Sequence, residues 1–138
     1  MAEALILDAE ALNALARAAE RRALAERARA ILTVAYERRA LVRVPAPVLA
    51  EVCRGPRYDA AIDHLLNGRG ILVCELTRSV AQRAGHLLAR LKLSSAHAVD
   101  AFVVSTALQY DAAVIASGDP DDIRRLASPY TQVRVFPL

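Results

Sequence analysis

The chain has 138 residues, 55% of them hydrophobic and 24% charged, with a formal net charge of +3. This composition excludes a disordered chain, and the length predicts one domain over residues 1–138 with a hydrophobic core of its own. No apolar stretch is long enough for a transmembrane helix and the first residues lack the basic segment of a signal peptide, so we expect a cytoplasmic protein with no membrane partner.

Cysteine and histidine positions exclude several kinds of site. Cys53 and Cys74 stand far apart among apolar neighbours, which predicts small buried thiols in a reducing compartment. The three histidines are scattered without zinc-site spacing. Gly68-Arg69-Gly70 is predicted to be a turn and not a phosphate-binding loop. Zinc, disulfide and P-loop proteins are therefore excluded.

Short apolar runs alternate with longer segments of helix-forming residues along the chain. The runs predict strands at 4–7, 41–44, 71–76, 113–116 and 133–136. Helices are predicted at about 9–18, 20–38, 48–54, 57–66, 78–92 and 96–110, with a short one starting near 118–120 and ending at 127. This alternation predicts an α/β fold with a central, mostly parallel sheet of four or five strands, flanked by helices on both faces.

Two acidic residues follow predicted strands. Asp8 comes directly after the first strand, and Asp119 comes shortly after the fourth. Both are expected at the carboxyl edge of a parallel sheet, where open α/β folds place their active sites. Each also fits a helix N-cap, and Pro120 after Asp119 strengthens that alternative.

Two further acids stand among residues that favour burial. Asp100 lies within an apolar helix, where a carboxylate needs a metal ion or a buried salt bridge to an arginine. Glu51 lies in a shorter apolar segment, and its alternative role is an exposed ion pair with Arg54, three residues later.

The four acids are more informative together than singly, because each is on an element expected near the carboxyl edge. Clustered carboxylates repel one another unless a cation neutralises them, and all-oxygen ligand sets suit Mg²⁺ or Mn²⁺. Such a site activates water and stabilises charge at a phosphoryl centre. The pattern therefore predicts metal-dependent phosphoryl chemistry.

The ordered motifs resemble a PIN domain over nearly the whole chain. Residues 5–8 (LILD) followed by 44–52 (VPAPVLAEV) resemble its first half, and residues 99–107 (VDAFVVSTA) followed by 113–122 (AVIASGDPDD) resemble its second. The length is also similar to that of VapC-type ribonuclease toxins. The resemblance implies a parallel α/β fold and a Mg²⁺- or Mn²⁺-dependent endoribonuclease, the toxin of a toxin–antitoxin pair.

The resemblance also implies site residues and partners. The implied catalytic residues are Asp8, Glu51, Asp100 and Asp119. The implied metal ligands are Asp8, Asp100, Asp119 and Asp122, with the choice between Asp121 and Asp122 open. The implied partners are an RNA substrate, a cognate antitoxin whose C-terminal segment lies in the active-site groove, and a second copy in a homodimer.

Three residues depart from the family pattern. Ala9 and Glu10 follow the first acid, where the family often has a hydroxyl or amide side chain. Glu10 is either a fifth carboxylate of the site or an exposed acid in the first turn of a helix. His97, one turn before Asp100, either reaches the phosphate or lies on the helix surface.

The arginines between positions 21 and 39 have two alternative roles. An arginine-rich stretch either contacts RNA phosphates or is solvated, with Arg22 and Glu26 as an ion pair; its arginines are Arg21, Arg22, Arg27, Arg29, Arg38 and Arg39.

The main rival function is a catalytically degenerate PIN-like module that binds RNA or protein. A phosphatase of haloacid-dehalogenase type would require a second aspartate at position 10.

Overall fold

The computed structural model describes residues 3–68 and 70–138. Its five strands are β1 (Glu3–Leu7), β2 (Leu41–Pro45), β3 (Ile71–Cys74), β4 (Ala112–Ser117) and β5 (Val133–Pro137). Its helices are α1 (Ala9–Ala16), α2 (Arg22–Glu37), α3 (Leu49–Val52), α4 (Pro56–Gly68), α5 (Arg78–Arg90), α6 (Ala98–Ala107) and α7 (Pro120–Ala127). Short 3₁₀ helices at Ala46–Val48 and Ser95–His97 precede α3 and α6.

All five strands form one parallel sheet in the order β3-β2-β1-β4-β5. The α/β fold with a central sheet flanked by helices is therefore confirmed. Because the strands are parallel, their carboxyl ends all lie along one edge, which we call the carboxyl edge, and their amino ends along the opposite, amino edge. Residues that follow strands in the sequence are thereby gathered at one edge.

The core is centred on β1. Ala4, Leu5, Ile6 and Leu7 are all at most 2% exposed. Successive residues of a strand point to opposite faces, so burial of all four requires that both faces of the sheet are covered. Helix α6 packs against β1, β2 and β4, which places its first turn beside the carboxyl edge.

Strand β3 forms one side of the sheet and is shorter than predicted. The sequence predicted a strand to Leu76, but β3 ends at Cys74, which pairs with Pro45, the last residue of β2. Beyond Cys74 there is no neighbouring strand to accept further pairing, and Leu76 is 42% exposed. Leu72 on this outer strand is 57% exposed.

Both cysteines differ from the expectation of burial. Cys53 and Cys74 are free thiols that are partly exposed, because Cys53 follows the short helix α3 and Cys74 ends the outer strand. The turn predicted at residues 68–70 includes Arg69, which lies outside the described residues. Among the described residues, no helix has the length and apolar character needed to cross a membrane.

Candidate metal centre

Asp8 connects β1 to the start of α1 and is almost fully buried. Its Oδ1 accepts a hydrogen bond from the Ala11 N–H at 2.9 Å. Asp8 is therefore the N-cap of α1, which is one of the two roles predicted for it. Its Oδ2 accepts from the Gly118 N–H at 3.2 Å, across the sheet edge. Burial raises the pKa of Asp8, although hydrogen bonds from Ala11, Ser117 and Gly118 oppose the rise. These bonds fix the carboxylate in one orientation.

The turn between β4 and α7 contributes Ser117, Gly118 and Asp119. Ser117 is fully buried; its hydroxyl is hydrogen-bonded to the Asp8 carboxylate and its Oγ accepts from the Asp119 N–H at 3.0 Å. Asp119 occupies the N-cap position of α7, but its side chain makes no capping hydrogen bond. The capping alternative therefore holds for Asp8 and is wrong for Asp119, whose exposed carboxylate is left for other interactions.

Asp100 lies in the first turn of α6 and is half-buried. Burial and four neighbouring acids raise its pKa to about 6; in decreasing order of effect these acids are Asp119, Asp122, Glu51 and Asp8. No arginine or lysine lies within ion-pair distance of Asp100 among the described residues. The alternative of a buried salt bridge is therefore wrong for the described part of the chain.

Asp122 lies beside Asp100, on the first turn of α7. Ligand atoms of His97, Asp100 and Asp122 all lie within 4.8 Å of one another. His97 Nδ1 is 3.9 Å from Asp122 Oδ2, and Arg125 Nη1 is 3.6 Å from Asp122 Oδ1. Asp121 points away, with its side chain 92% exposed. The two acids that the sequence left undecided are therefore separated by the helix geometry, with Asp122 on the side of the cluster.

Glu51 is an exposed residue of α3. The predicted ion pair with Arg54 is replaced by a different contact, because Arg54 Nε donates to the backbone oxygen of Glu51 at 3.2 Å. In residues 3–68 and 70–138, no cationic side chain lies within 4 Å of the Glu51 carboxylate. Its charge contributes to the raised pKa of Asp100, but among the described residues its carboxylate is not in the group of ligand atoms that lie within 4.8 Å of one another.

Glu10 is in the first turn of α1 and lies against the β4–α7 turn. Its Oε2 accepts a hydrogen bond from Arg21 Nη1 at 2.6 Å, and its aliphatic stem lies against Gly118. It is thus neither a freely solvated acid nor a member of the group that acts on Asp100. The sequence assigned no role to Ser117 and considered Arg21 only for RNA contact, since only the folded chain brings these residues to Asp8 and Glu10.

The donor set fits a hard divalent cation. Asp8, Glu51, Asp119 and Asp122 all interact with Asp100, and carboxylate oxygens are the ligands that Mg²⁺ and Mn²⁺ prefer. A cation bound there would neutralise charges that otherwise repel one another. The group formed by Asp100, Asp122 and His97 has the ligand spacing to bind one.

Acidic side chains are thus gathered at the carboxyl edge of a parallel α/β sheet, which is where open α/β folds place their active sites. The family model of the PIN domain matches residues 5–129, and the chain belongs to that family. PIN domains are in general metal-dependent nucleases, which indicates a nuclease-type function and argues against a phosphatase of haloacid-dehalogenase type. Neither a curated protein nor a solved structure showed a significant match.

Proposed function

We propose that the protein is a Mg²⁺- or Mn²⁺-dependent endoribonuclease, the VapC-type toxin of a toxin–antitoxin pair. The observation that supports this most directly is the environment of Asp100, a half-buried carboxyl surrounded by four other acids in a PIN domain. Like charges at this density destabilise the fold, so their retention at one edge favours a functional reason for them.

In this proposal Asp8, Asp100, Asp119 and Asp122 hold the cation. The bound cation supplies Lewis acidity, which lowers the pKa of water and stabilises charge on the phosphoryl group. Asp8 is the rigid member, since three hydrogen bonds fix its carboxylate. Glu51 is at the exposed side, where its carboxylate orients the attacking water or accepts its proton.

The RNA backbone needs cationic contacts beside an acidic centre. Of the arginines in the predicted stretch, Arg21 is held by Glu10 near the β4–α7 turn. Arg38 instead pairs with Glu3 at 2.9 Å, at the amino edge. We therefore assign RNA phosphate contact to the start of α2 and not to its end. The predicted pair of Arg22 with Glu26 is absent from the ion pairs of the described residues.

The test is cleavage of a single-stranded RNA pool in Mn²⁺ by wild-type protein and two variants. Asp100→Asn removes the central charge with little change in shape, and we expect a loss of at least about 100-fold in rate. Asp121→Asn is the matched control, because this exposed acid is one residue from Asp122 but points away. Equal activity of wild-type and Asp100→Asn protein would refute the assignment.

The toxin role has separate tests in the cell. Induction of the chain is expected to arrest growth, and Asp100→Asn is expected to relieve the arrest at equal protein level. Co-expression of the product of an adjacent short reading frame is expected to restore growth and to co-purify with the chain. A homodimer is the proposed assembly, which sedimentation of the purified protein tests.

A degenerate PIN-like binding module is the second candidate. It is favoured by the contacts of Asp122 with His97 and Arg125, which occupy part of this carboxylate. A nuclease should show a rise in melting temperature with Mn²⁺ that Asp100→Asn reduces. A degenerate module should show neither the rise nor cleavage.

A further inference from the structure

We propose that Glu10 is a positioning residue, which together with Arg21 holds the β4–α7 turn against Asp8. This inference rests on the proposed function, since the turn carries Asp119. Glu10 departs from the family pattern at its position, and no role for it follows from the acids that surround Asp100. The proposal depends on three contacts that link Glu10 to the site.

The first contact anchors the carboxylate of Glu10. Arg21 Nη1 donates to Glu10 Oε2 at 2.6 Å, joining the first turn of α1 to the residue before α2. The Glu10 side chain is 42% exposed and the Arg21 side chain is 37% exposed. A charge-assisted bond of this length limits the rotamers open to Glu10, so the stem between Cα and carboxylate is held in place.

The second contact is between that stem and Gly118. A Cβ added at Gly118 would overlap the Cβ of Glu10 and would lie 2.5 Å from its Cγ. The overlap involves the Cβ of Glu10, which a rotamer change of Glu10 does not move away. Gly118 does not have a positive φ, so the glycine is required here by space and not by backbone conformation. The stem of Glu10 is therefore one wall of the turn.

The third contact links the β4–α7 turn to Asp8 and Asp119. The Gly118 N–H donates to Asp8 Oδ2 at 3.2 Å, and the Asp119 N–H donates to Ser117 Oγ at 3.0 Å. If the turn moves away from α1, it loses the bond to Asp8 and carries Asp119 with it. Glu10 thus acts on the separation of Asp8 and Asp119 through Gly118, without being a ligand itself.

The first experiment measures Mn²⁺ affinity by calorimetry without RNA, for Glu10→Ala, Glu10→Gln and the control Glu20→Ala. Glu10→Ala removes the stem beyond Cβ together with its anchor to Arg21, and is expected to weaken Mn²⁺ binding at least about fivefold. Glu10→Gln keeps the stem and an oxygen for Arg21, so binding is expected within about twofold of wild type. Glu20 pairs with Arg17 and is exposed, so its removal should leave Mn²⁺ binding unchanged.

Two outcomes of the calorimetry overturn the positioning role. Wild-type Mn²⁺ affinity in Glu10→Ala would show that the stem beyond Cβ and its bond to Arg21 are not needed to position the turn. An equal loss in Glu10→Gln and Glu10→Ala shows that the charge acts directly, as a ligand does. If wild-type protein binds no Mn²⁺, the proposed function fails and the positioning role fails with it, whereas loss restricted to the variants concerns Glu10 alone.

The second experiment is a double-mutant cycle of Gly118→Ala and Glu10→Gly, in which the melting temperature is measured in EDTA. Gly118→Ala is expected to lower the melting temperature by roughly 4 °C or more in wild-type protein, because the new methyl group overlaps Glu10. In the Glu10→Gly background, where the Cβ that the new methyl group overlaps is missing, the same change should cost less than half as much. If Gly118→Ala does not fold alone, the double variant must fold. An equal penalty in both backgrounds, or failure of both variants to fold, overturns the inference whether or not metal binds.

Discussion

The two edges of the sheet treat acidic residues differently. At the amino edge, Glu3 of β1 is paired with Arg38, just after α2, at 2.9 Å. At the carboxyl edge, Asp100 and Asp119 have no basic side chain within ion-pair distance among the described residues, although the chain is rich in arginine. Helix α2 runs from one edge to the other, with Arg21 before its start and Arg38 after its end.

This difference separates charges that serve the fold from charges that oppose it. A paired surface acid such as Glu3 adds little to stability but costs nothing. Unpaired carboxylates such as Asp100 and Asp119 cost stability in the absence of a cation, and the raised pKa of Asp100 reflects that cost.

Asp8→Ala should cost the most stability, although Asp8 belongs to the acidic edge. The change removes the N-cap of α1 and the acceptor of the Gly118 N–H, for a loss of about 2–3 kcal/mol in unfolding free energy. Urea denaturation in EDTA at pH 7 measures it. Glu3→Ala is the control at the amino edge and should cost about 0.5 kcal/mol or less. Equal losses would show that the hydrogen bonds of Asp8 add nothing to the fold.

Asp100 should make the metal-free protein less stable at neutral pH. The pKa of Asp100 is near the ordinary aspartate value of 3.8 in the unfolded chain, and burial with the neighbouring acids raises this pKa to about 6 in the folded protein. The folded state therefore binds more protons between these values, so the favourable contribution is complete below about pH 4 and is lost as the pH rises through about 6. Asp100→Asn is expected to be more stable than wild type at pH 7, by on the order of 1 kcal/mol, and to depend less on pH.

Denaturation in EDTA at several pH values between 4 and 7.5 measures the contribution of Asp100. Asp121→Asn serves again as the control, since the Asp121 side chain is 92% exposed and lies outside the group that acts on Asp100. Identical pH profiles for wild type and Asp100→Asn would contradict the electrostatic cost assigned to the carboxyl edge.

Arg38→Gln should have the smallest effect. The Arg38 side chain is 62% exposed, so the loss of its pair with Glu3 should change unfolding free energy by about 0.5 kcal/mol or less. RNA affinity should also be unchanged, because this arginine is at the amino edge. Fluorescence anisotropy with labelled RNA and Arg21→Gln as the comparison tests this. A larger loss of RNA affinity for Arg38→Gln would reverse the assignment of the two ends of α2.

The sequence predicted where the five strands lie along the chain and that their sheet is mostly parallel, because the apolar runs are short and the segments between them favour helix. It failed at the end of β3, where Leu76 continues the apolar run but has no neighbouring strand. It also predicted a helix over 96–110 that is longer than the observed α6, which spans Ala98–Ala107. Pairing and packing, which sequence periodicity does not contain, set these limits.

The candidate site was only partly accessible from the sequence. The position of Asp8 and Asp119 after strands placed both at the carboxyl edge, but the sequence offered the same capping alternative for each. Only tertiary contacts separate them, since Gly118 and Ser117 hold Asp8 while the Asp119 side chain caps nothing. The roles of these acids in metal binding stay predictions.

The pair of Glu10 with Arg21 shows the limit of local reasoning. The two residues are 11 positions apart, and the crossing of α1 and α2 brings them together. Spacing along one helix predicts pairs three or four residues apart, as for Arg17 with Glu20. A contact made across two helices and a loop has no such signature in the sequence.

The hydrogen bond between Gly118 and Asp8 has a consequence for how the chain folds. It joins residues separated by 110 positions, and β1 cannot pair with β4 until most of the chain has been synthesised. Contacts of this sequence separation form late, because the entropy of closing the intervening chain must be overcome first. A nascent or truncated chain that ends before β4 therefore contains Asp8 and Asp100 but lacks Asp119 and Asp122, and the acidic group is assembled only when folding is nearly complete.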